Sequence, residues 1–335
     1  MAKDLILLIL AHGIFGWGTG GAGKRPDQMR EYYFGVRAFL EAEYSSRPDV
    51  ILKVLTPTVP PADSVAGRGA VLKKAIEEAV NGAPSGTRAH IVAHSMGGLD
   101  SRWVLAQEGM TEKIASLTTI ATPHRGTTLG NEAHLLFPLI LQAVSLLDKV
   151  ASWHTDIVKE LAGPHVDKLE FFHHLLANIV DSPKDKAEAG LYALTLKGAD
   201  EFNRQWADAE RKIRSWRDKP VAYFAYGGRV HPGQVPLLKL SHELLQLAGT
   251  AEEKESGNDG AVSVWSAHYP WDDPGPTYEG GENYVKTIQF DHFRQVNWEI
   301  PDPRPKAVMG GDLQDVYRGI MENIIRVQRA ENPGR

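Results

Sequence analysis

The sequence predicts an α/β fold: a mostly parallel central sheet with helices on both faces and a block of helices inserted late in the chain. Three observations predict it. Strand-like and helix-like stretches alternate over residues 5–121, the first strand-like stretch is a continuous apolar run, and from residue 131 the alternation gives way to Leu, Ile, Phe and Val at helical spacing. Strand, helix, strand in that order implies right-handed crossovers and a parallel sheet. A strand that is apolar on both sides belongs inside a sheet covered on both faces.

The bulk numbers bound the answer. With 335 residues, 42% of them hydrophobic and 24% charged, the chain can bury one large core. One domain over 1–335, with residues 131–190 as a helical insertion, is the economical reading. The net charge of −5 comes without a basic block, so neither nucleic acid nor an anionic membrane is an expected partner. The chain has no cysteine, which excludes disulfides, thiolate zinc sites and a cysteine nucleophile.

Each element follows from its own stretch. Leu5–Ala11 reads as a buried first strand rather than a leader, because the preceding charge is slight and no small-residue cleavage site follows. The compartment stays open between the cytoplasm and secretion with a leader removed. A glycine-rich turn leads to a helix from about Gln28 to Tyr44, then a strand at Val50–Leu55, a Pro-rich connection and a helix over Gly69–Val80. A third strand, Ala89–Ala93, runs into Ser95 and a helix over Gly97–Gln107, followed by a strand at Ile114–Ala121. Further strands are expected at Val221–Tyr226 and Tyr284–Phe290, and an amphipathic helix from about Leu313 to Gln328. The most apolar later stretch, Leu135–Leu147, is broken by Pro138 and Gln142 and is too short to span a bilayer.

The strongest local signal is Ala93-His94-Ser95-Met96-Gly97-Gly98, between an apolar strand and a helical stretch. A nucleophilic serine is well presented on a sharp strand-to-helix turn, which crowds the residues two before and two after it. Ala93 and Gly97 are small enough. A serine that only capped the helix would not require small neighbours on both sides. The helix start also places a positive dipole end beside a developing negative charge.

His12-Gly13-Ile14-Phe15-Gly16 follows the first strand directly. Attack on an ester creates an oxyanion that needs preorganised N–H donors. The backbone N–H groups of Ile14 and of Met96, the residue after the serine, are the candidates. Alone, the glycine turn would be read as an ordinary strand ending; its place before the serine motif gives it meaning. Gly18–Lys24 lacks the spacing of a phosphate loop and the Ser/Thr after lysine.

In folds that present a serine this way, an acid follows the serine and a histidine comes last. Asp259, in Gly257-Asn258-Asp259-Gly260, sits in an Asx-type turn, which is rigid but also common in plain turns. His292 follows the last expected strand, where a general base should hang; His268, nine residues beyond Asp259, is its rival. His12 and His94 lie too close to the turn backbones to be free bases and read as supports. His124 precedes every plausible acid, and His165, His173 and His174 lack carboxylates at metal-ligand spacing.

At these motifs the sequence resembles the bacterial true lipases of the Pseudomonas/Burkholderia and Bacillus/Geobacillus groups, which are α/β-hydrolases. The matching pieces are His12–Trp17, Tyr33-Phe34-Gly35-Val36, Arg68-Gly69, Ala93–Gly98, Ser101-Arg102-Trp103, Thr119–Gly126, Asn258–Ser263 and Asp291-His292. Likeness covers residues 4–130, resumes weakly at Leu194–Asn203 and returns at the last two motifs. The resemblance implies Ser95 as nucleophile, Asp259 as acid and His292 as base, Ile14 and Met96 as oxyanion donors, and a mobile helical lid. Where the Pseudomonas type binds calcium through an aspartate two residues after the histidine, this chain has Arg294, and no His/Asp set matches the Bacillus-type zinc site. No metal and no cofactor is expected.

Leu135, Phe137 and Leu139 belong to a stretch more apolar than one packed helix face requires, and with Phe15 they are the candidate contacts for an acyl chain. A packed pair of core helices explains the same stretch. The implied substrate is a lipid or other ester, with transient contact at a lipid–water interface. The alternatives are a carboxylesterase or acyltransferase on smaller soluble esters, and a non-catalytic binding protein with the same fold.

Overall fold

The structure, a computed structural model, describes residues 4–18, 31–134, 178, 181–215, 221–230, 238–268, 284–298 and 309–331. Its strands are β1 (Asp4–Ala11), β2 (Val50–Leu55), β3 (Ala89–His94), β4 (Ile114–Ile120), β5 (Ala222–Gly228) and β6 (Tyr284–Ile288). Its helices are α1 (Val36–Ser45), α2 (Val65–Asn81), α3 (Met96–Leu105), α4 (Lys184–Leu194), α5 (Leu196–Ser215), α6 (Lys239–Ala248), α7 (Ala251–Ser256), α8 (Val264–Ala267) and α9 (Gly311–Glu331). The strands pair in the order β2-β1-β3-β4-β5-β6, every neighbour parallel.

The pleat explains the apolar run of β1. Successive side chains point to opposite faces, and both faces are covered. Ile6, Leu8 and Leu10 pack with Val36 and Leu40 of α1 and with Tyr317, Ile320 and Ile324 of α9. Leu7, Ile9 and Ala11 pack on the other side with Leu72 and Ile76 of α2 and Val104 and Leu105 of α3. Burying one such side chain is worth roughly 1.5–3 kcal/mol, so a single charged residue in the middle of β1 would undo one whole face.

Boundaries differ from the sequence expectation where side chains bind backbone. The first helix starts at Val36, not near Gln28: Gly35 adopts φ 70°, and residues 32–35 form bends and a turn. Tyr33 is buried there and donates its hydroxyl to the carbonyls of Ala11 (2.9 Å) and Val92 (3.2 Å), tying the turn to β1 and β3. Helix α2 begins earlier than expected because Ser64 caps it, its Oγ accepting from the Gly67 N–H at 3.1 Å. Between β5 and β6 the described residues form three short helices, α6 to α8, that the hydrophobic pattern did not announce. Most of the inserted block, including Leu135, Phe137 and Leu139, lies outside the described residues.

A buried polar triplet joins the sheet to the last helix. His90 of β3 lies 2.8 Å from Ser116 Oγ of β4 and 3.0 Å from Gln328 Oε1 of α9. Burial pulls its proton affinity down to about 4, whereas an unfolded histidine titrates near ~6.5. The folded ring is therefore neutral while the unfolded chain takes up a proton, so this contribution is complete above pH ~6.5 and is lost as pH falls towards about 4. We expect a loss of roughly 3 kcal/mol over that window. Urea midpoints measured from pH 7 to pH 4 should fall in the wild type and less steeply in His90→Gln. Identical slopes would assign the loss to other groups.

Candidate active site

Ser95 stands between β3 and α3 at φ 54°, ψ −129°. A non-glycine residue held there costs on the order of 1–3 kcal/mol and persists only when its surroundings impose it. The Ser95 N–H donates to Ile120 O at 2.9 Å and the Ser95 carbonyl accepts from Gly98 N at 3.0 Å. At Gly97 an added Cβ would lie 2.6 Å from Ala11 O and 2.7 Å from His12 O. Only glycine there lets α3 begin against the end of β1. The small neighbour expected from sequence thus has a contact behind it.

The turn after β1 is also strained and also held. Phe15 adopts φ 56°, its N–H donating to Pro61 O at 2.6 Å, while Gly16 N donates to Gly13 O at 3.2 Å. The N–H groups of Ile14 and Met96 meet no acceptor among the described residues. For Met96 this follows from its place in the first turn of α3.

Arg68 organises this corner from below. Fully buried on α2, it donates from Nε to Asp100 Oδ2 (2.8 Å) and from Nη1 to Pro60 O (2.6 Å) and Pro61 O (3.0 Å). Its Nη2 donates to His12 O (2.9 Å) and Gly13 O (3.2 Å). One guanidinium thus joins the turn after β1, the Pro-rich connection and the helix behind Ser95. Sequence reading quoted Arg68 as a matching residue without a role. The signal was present: it interrupts the apolar stripe Val65, Leu72, Ile76 on the buried face of α2.

Asp259 and His292 meet each other, and His292 lines the same cavity as Ser95. His292 Nδ1 lies 2.9 Å from Asp259 Oδ2, and the His292 N–H donates to Asp259 O at 3.0 Å. The other carboxylate oxygen, Oδ1, accepts from Ala261 N (2.9 Å) and Val262 N (2.8 Å), the Asx-type turn expected for this residue. Gln295 donates from Nε2 to Asp259 Oδ2 at 2.9 Å; no sequence signal pointed to it. Asp291 fixes the loop by accepting from Phe293 N and Arg294 N, both at 3.0 Å.

The remaining histidines are placed otherwise. Rival His268 contacts Lys286 O at 3.3 Å and does not reach Asp259. His12 is pulled down to about 3 by burial and then by Arg68, with Nδ1 2.8 Å from Gly13 O and Nε2 accepting from Val59 N. His94 is held well below its ordinary range by burial and by its neighbour His292, whose ring lies 4.6 Å away. Its Nδ1 pairs with the Tyr32 hydroxyl at 2.8 Å. His124, buried between Arg102 and Thr119, is likewise held neutral by burial.

Ser95 and His292 line one cavity of about 200 Å³ together with Ile14, Phe15, Leu129 and Leu191. The Ser95 hydroxyl makes no hydrogen bond with any described residue, a looseness common in sites without substrate. Residues 178 and 186 reach this corner: Asn178 Nδ2 donates to Phe15 O at 2.9 Å and Lys186 pairs with Asp63 at 2.6 Å. Phe15, Ala62, Ala187 and Leu191 form an apolar cluster beneath it.

Compared with solved structures, the chain superposes on lipase 1 from Pelosinus fermentans with a TM-score of 0.58 at 20% identity, covering 96% of this chain and 99% of that one. It has the α/β-hydrolase fold. By sequence, the chain matches the family described as "PGAP1-like alpha/beta domain" over residues 65–145. It is similar to the triacylglycerol lipase of Pseudomonas fragi, 24% identical over 270 residues, covering 78% of this chain and 81% of the relative. It is 34% identical over 111 residues to triacylglycerol lipase 2 of Saccharomyces cerevisiae, covering 32% of each, so the chain spans about a third of that relative's length.

The chain offers no fit to the calcium site of the Pseudomonas type. At the position two after His292 the Arg294 guanidinium lies over the Phe290 ring at 5.2 Å, a cation where an anionic ligand would be needed. Among the described residues no group of three or more His, Asp or Glu is placed to hold a metal ion. Also among them, no helix is long and apolar enough to cross a membrane.

Proposed function

We propose that the protein is a serine-dependent carboxylic-ester hydrolase acting on acylglycerol-type esters, with Ser95 as nucleophile, His292 as base and Asp259 as acid. The observation that carries this reading is the Asp259–His292 pair, 2.9 Å apart, beside the cavity into which the strained Ser95 elbow opens. Lipases among the relatives by sequence support the substrate class.

The geometry supports the following course of reaction. As substrate enters, His292 Nε2 takes the Ser95 proton while Oγ attacks the ester carbonyl carbon. The carbonyl oxygen becomes an oxyanion facing the free N–H groups of Ile14 and Met96, each donor being worth roughly 2.7–4 kcal/mol of transition-state stabilisation. Asp259, its Oδ1 fixed by two backbone N–H groups, holds the imidazole tautomer and stabilises the imidazolium. The tetrahedral intermediate collapses, the alcohol leaves with the proton from His292, and water repeats the sequence on the acyl-enzyme. The apolar wall of Phe15, Leu129 and Leu191 suits the acyl chain rather than the alcohol.

The domain reading is part of the same proposal: one domain over 1–335, with residues 131–190 as a lid carrying Leu135, Phe137 and Leu139 to the acyl chain and to a lipid–water interface. The test is labelling and chain-length profiling. A fluorophosphonate should modify Ser95 stoichiometrically, located by peptide mass spectrometry. p-Nitrophenyl esters from acetate to palmitate should be cleaved faster as the chain lengthens, by about tenfold for two or so buried methylenes at ~0.8 kcal/mol each. A maximum at acetate would favour the smaller-ester alternative, and no labelling would favour the binding-protein alternative.

A further inference from the structure

Gln295 is a buried polar residue that the proposed reaction does not use. It sits in the 3₁₀ turn Arg294–Val296, three residues beyond His292, and is 1% exposed. Its backbone carbonyl accepts from the Tyr317 hydroxyl of α9 at 2.8 Å, fixing the turn against the last helix. Its Nε2 reaches Asp259 Oδ2, the same oxygen that meets His292 Nδ1, and lies 3.3 Å from Phe290 O. Its Oε1 is buried with no hydrogen-bond partner.

That orphaned oxygen gives the residue its meaning. A buried amide with one unsatisfied end is costly, and a buried unsatisfied group in a native fold calls for an explanation. A filler of the same size, methionine or leucine, would avoid the cost. Reversing the amide would set Oε1 against the Asp259 carboxylate, so the nitrogen must face the acid. Room for the contact is made on β5, where a Cβ on Gly228 would lie 2.7 Å from Asp259 Cβ.

We infer that Gln295 is a positioning residue for the acid of the triad; this rests on the assignment of Asp259 and His292 made above. Two backbone N–H groups hold Oδ1 but leave the carboxylate free to rock about that end. The Gln295 amide holds Oδ2, the oxygen that His292 Nδ1 also meets, and so fixes where that oxygen stands for the imidazole. Preorganisation of this kind acts on the step in which the imidazolium forms and leaves substrate binding untouched.

The experiment compares the wild-type chain with Gln295→Met, Gln295→Glu and Ser95→Ala on p-nitrophenyl butyrate, with thermal midpoints and fluorophosphonate titration of folded sites. Q295M keeps the volume and removes the donor. It should lower kcat about tenfold per titrated site, leave KM within twofold and leave the midpoint unchanged or raised. Should Q295M fail to fold, Q295E keeps the shape and lowers kcat by at least as much with KM held. Wild-type kcat in whichever variant folds would overturn the positioning role and leave a packing residue. Hydrolysis that survives S95A in full would overturn the triad itself, and the inference with it.

Discussion

Ser95→Ala is expected to fold and to lose ester hydrolysis by about 10⁴-fold or more, since removing the nucleophile leaves only binding and the oxyanion donors. Folding should survive because the Ser95 hydroxyl has no hydrogen-bond partner among the described residues, and alanine keeps the Cβ that already tolerates φ 54°. Asp259→Asn should cost roughly 10⁴-fold in kcat by presenting the wrong imidazole tautomer. The double variant Ser95→Ala, His292→Ala should be hardly worse than the serine variant alone, because residues acting as one unit are not additive. Measured as kcat on p-nitrophenyl butyrate, a serine variant retaining a tenth of wild-type activity would remove Ser95 from the chemistry.

Arg68→Met should damage both stability and catalysis, and the two effects should be separable. Removing the guanidinium leaves Asp100 buried without its partner; breaking such a pair costs about 3–5 kcal/mol. Replacing both partners by apolar side chains, Arg68→Met with Asp100→Leu, removes the uncompensated charge and should recover most of that loss. Activity should not recover with it. The carbonyls of His12 and Gly13 would still lack the donor that holds them at 2.9 and 3.2 Å, and the turn carrying the Ile14 N–H would be loose. A fall in kcat of roughly 10²-fold, the lower end of what losing one oxyanion donor costs, is expected in both variants. Full kcat in the stable double variant would make the clamp purely structural.

The parts of this protein legible in its sequence are those encoded locally. The apolar run of β1 announces a strand covered on both sides because each residue there carries its own information about burial. Ser95 is legible because a strand, a crowded turn and a helix start are contiguous. The pairing of Asp259 with a histidine was not decidable from order alone, since His268 and His292 both follow it; the fold places His292 against the carboxylate and sends His268 to β6. Gln295 was invisible for a different reason. Its part depends on which way one side chain points from a short 3₁₀ turn, and composition carries nothing about that. Helices α7 and α8 escaped because they are short and rest on caps, the Thr250–Glu253 capping box and Ser263, rather than on a long apolar stripe.

Helix α9 has a consequence for the order in which the chain becomes a protein. It is the last described element, yet its side chains close the face of β1, the first strand, and its Gln328 reaches β3. During synthesis from the N-terminus, that face of the sheet would emerge only partly covered by α1 and remain so until α9 clears the ribosome. Contacts this distant along the chain form slowly, and uncovered strands invite association with other chains. Nascent copies stalled before residue 311 should therefore be the form that chaperones hold and proteases cut, whatever the finished molecule withstands.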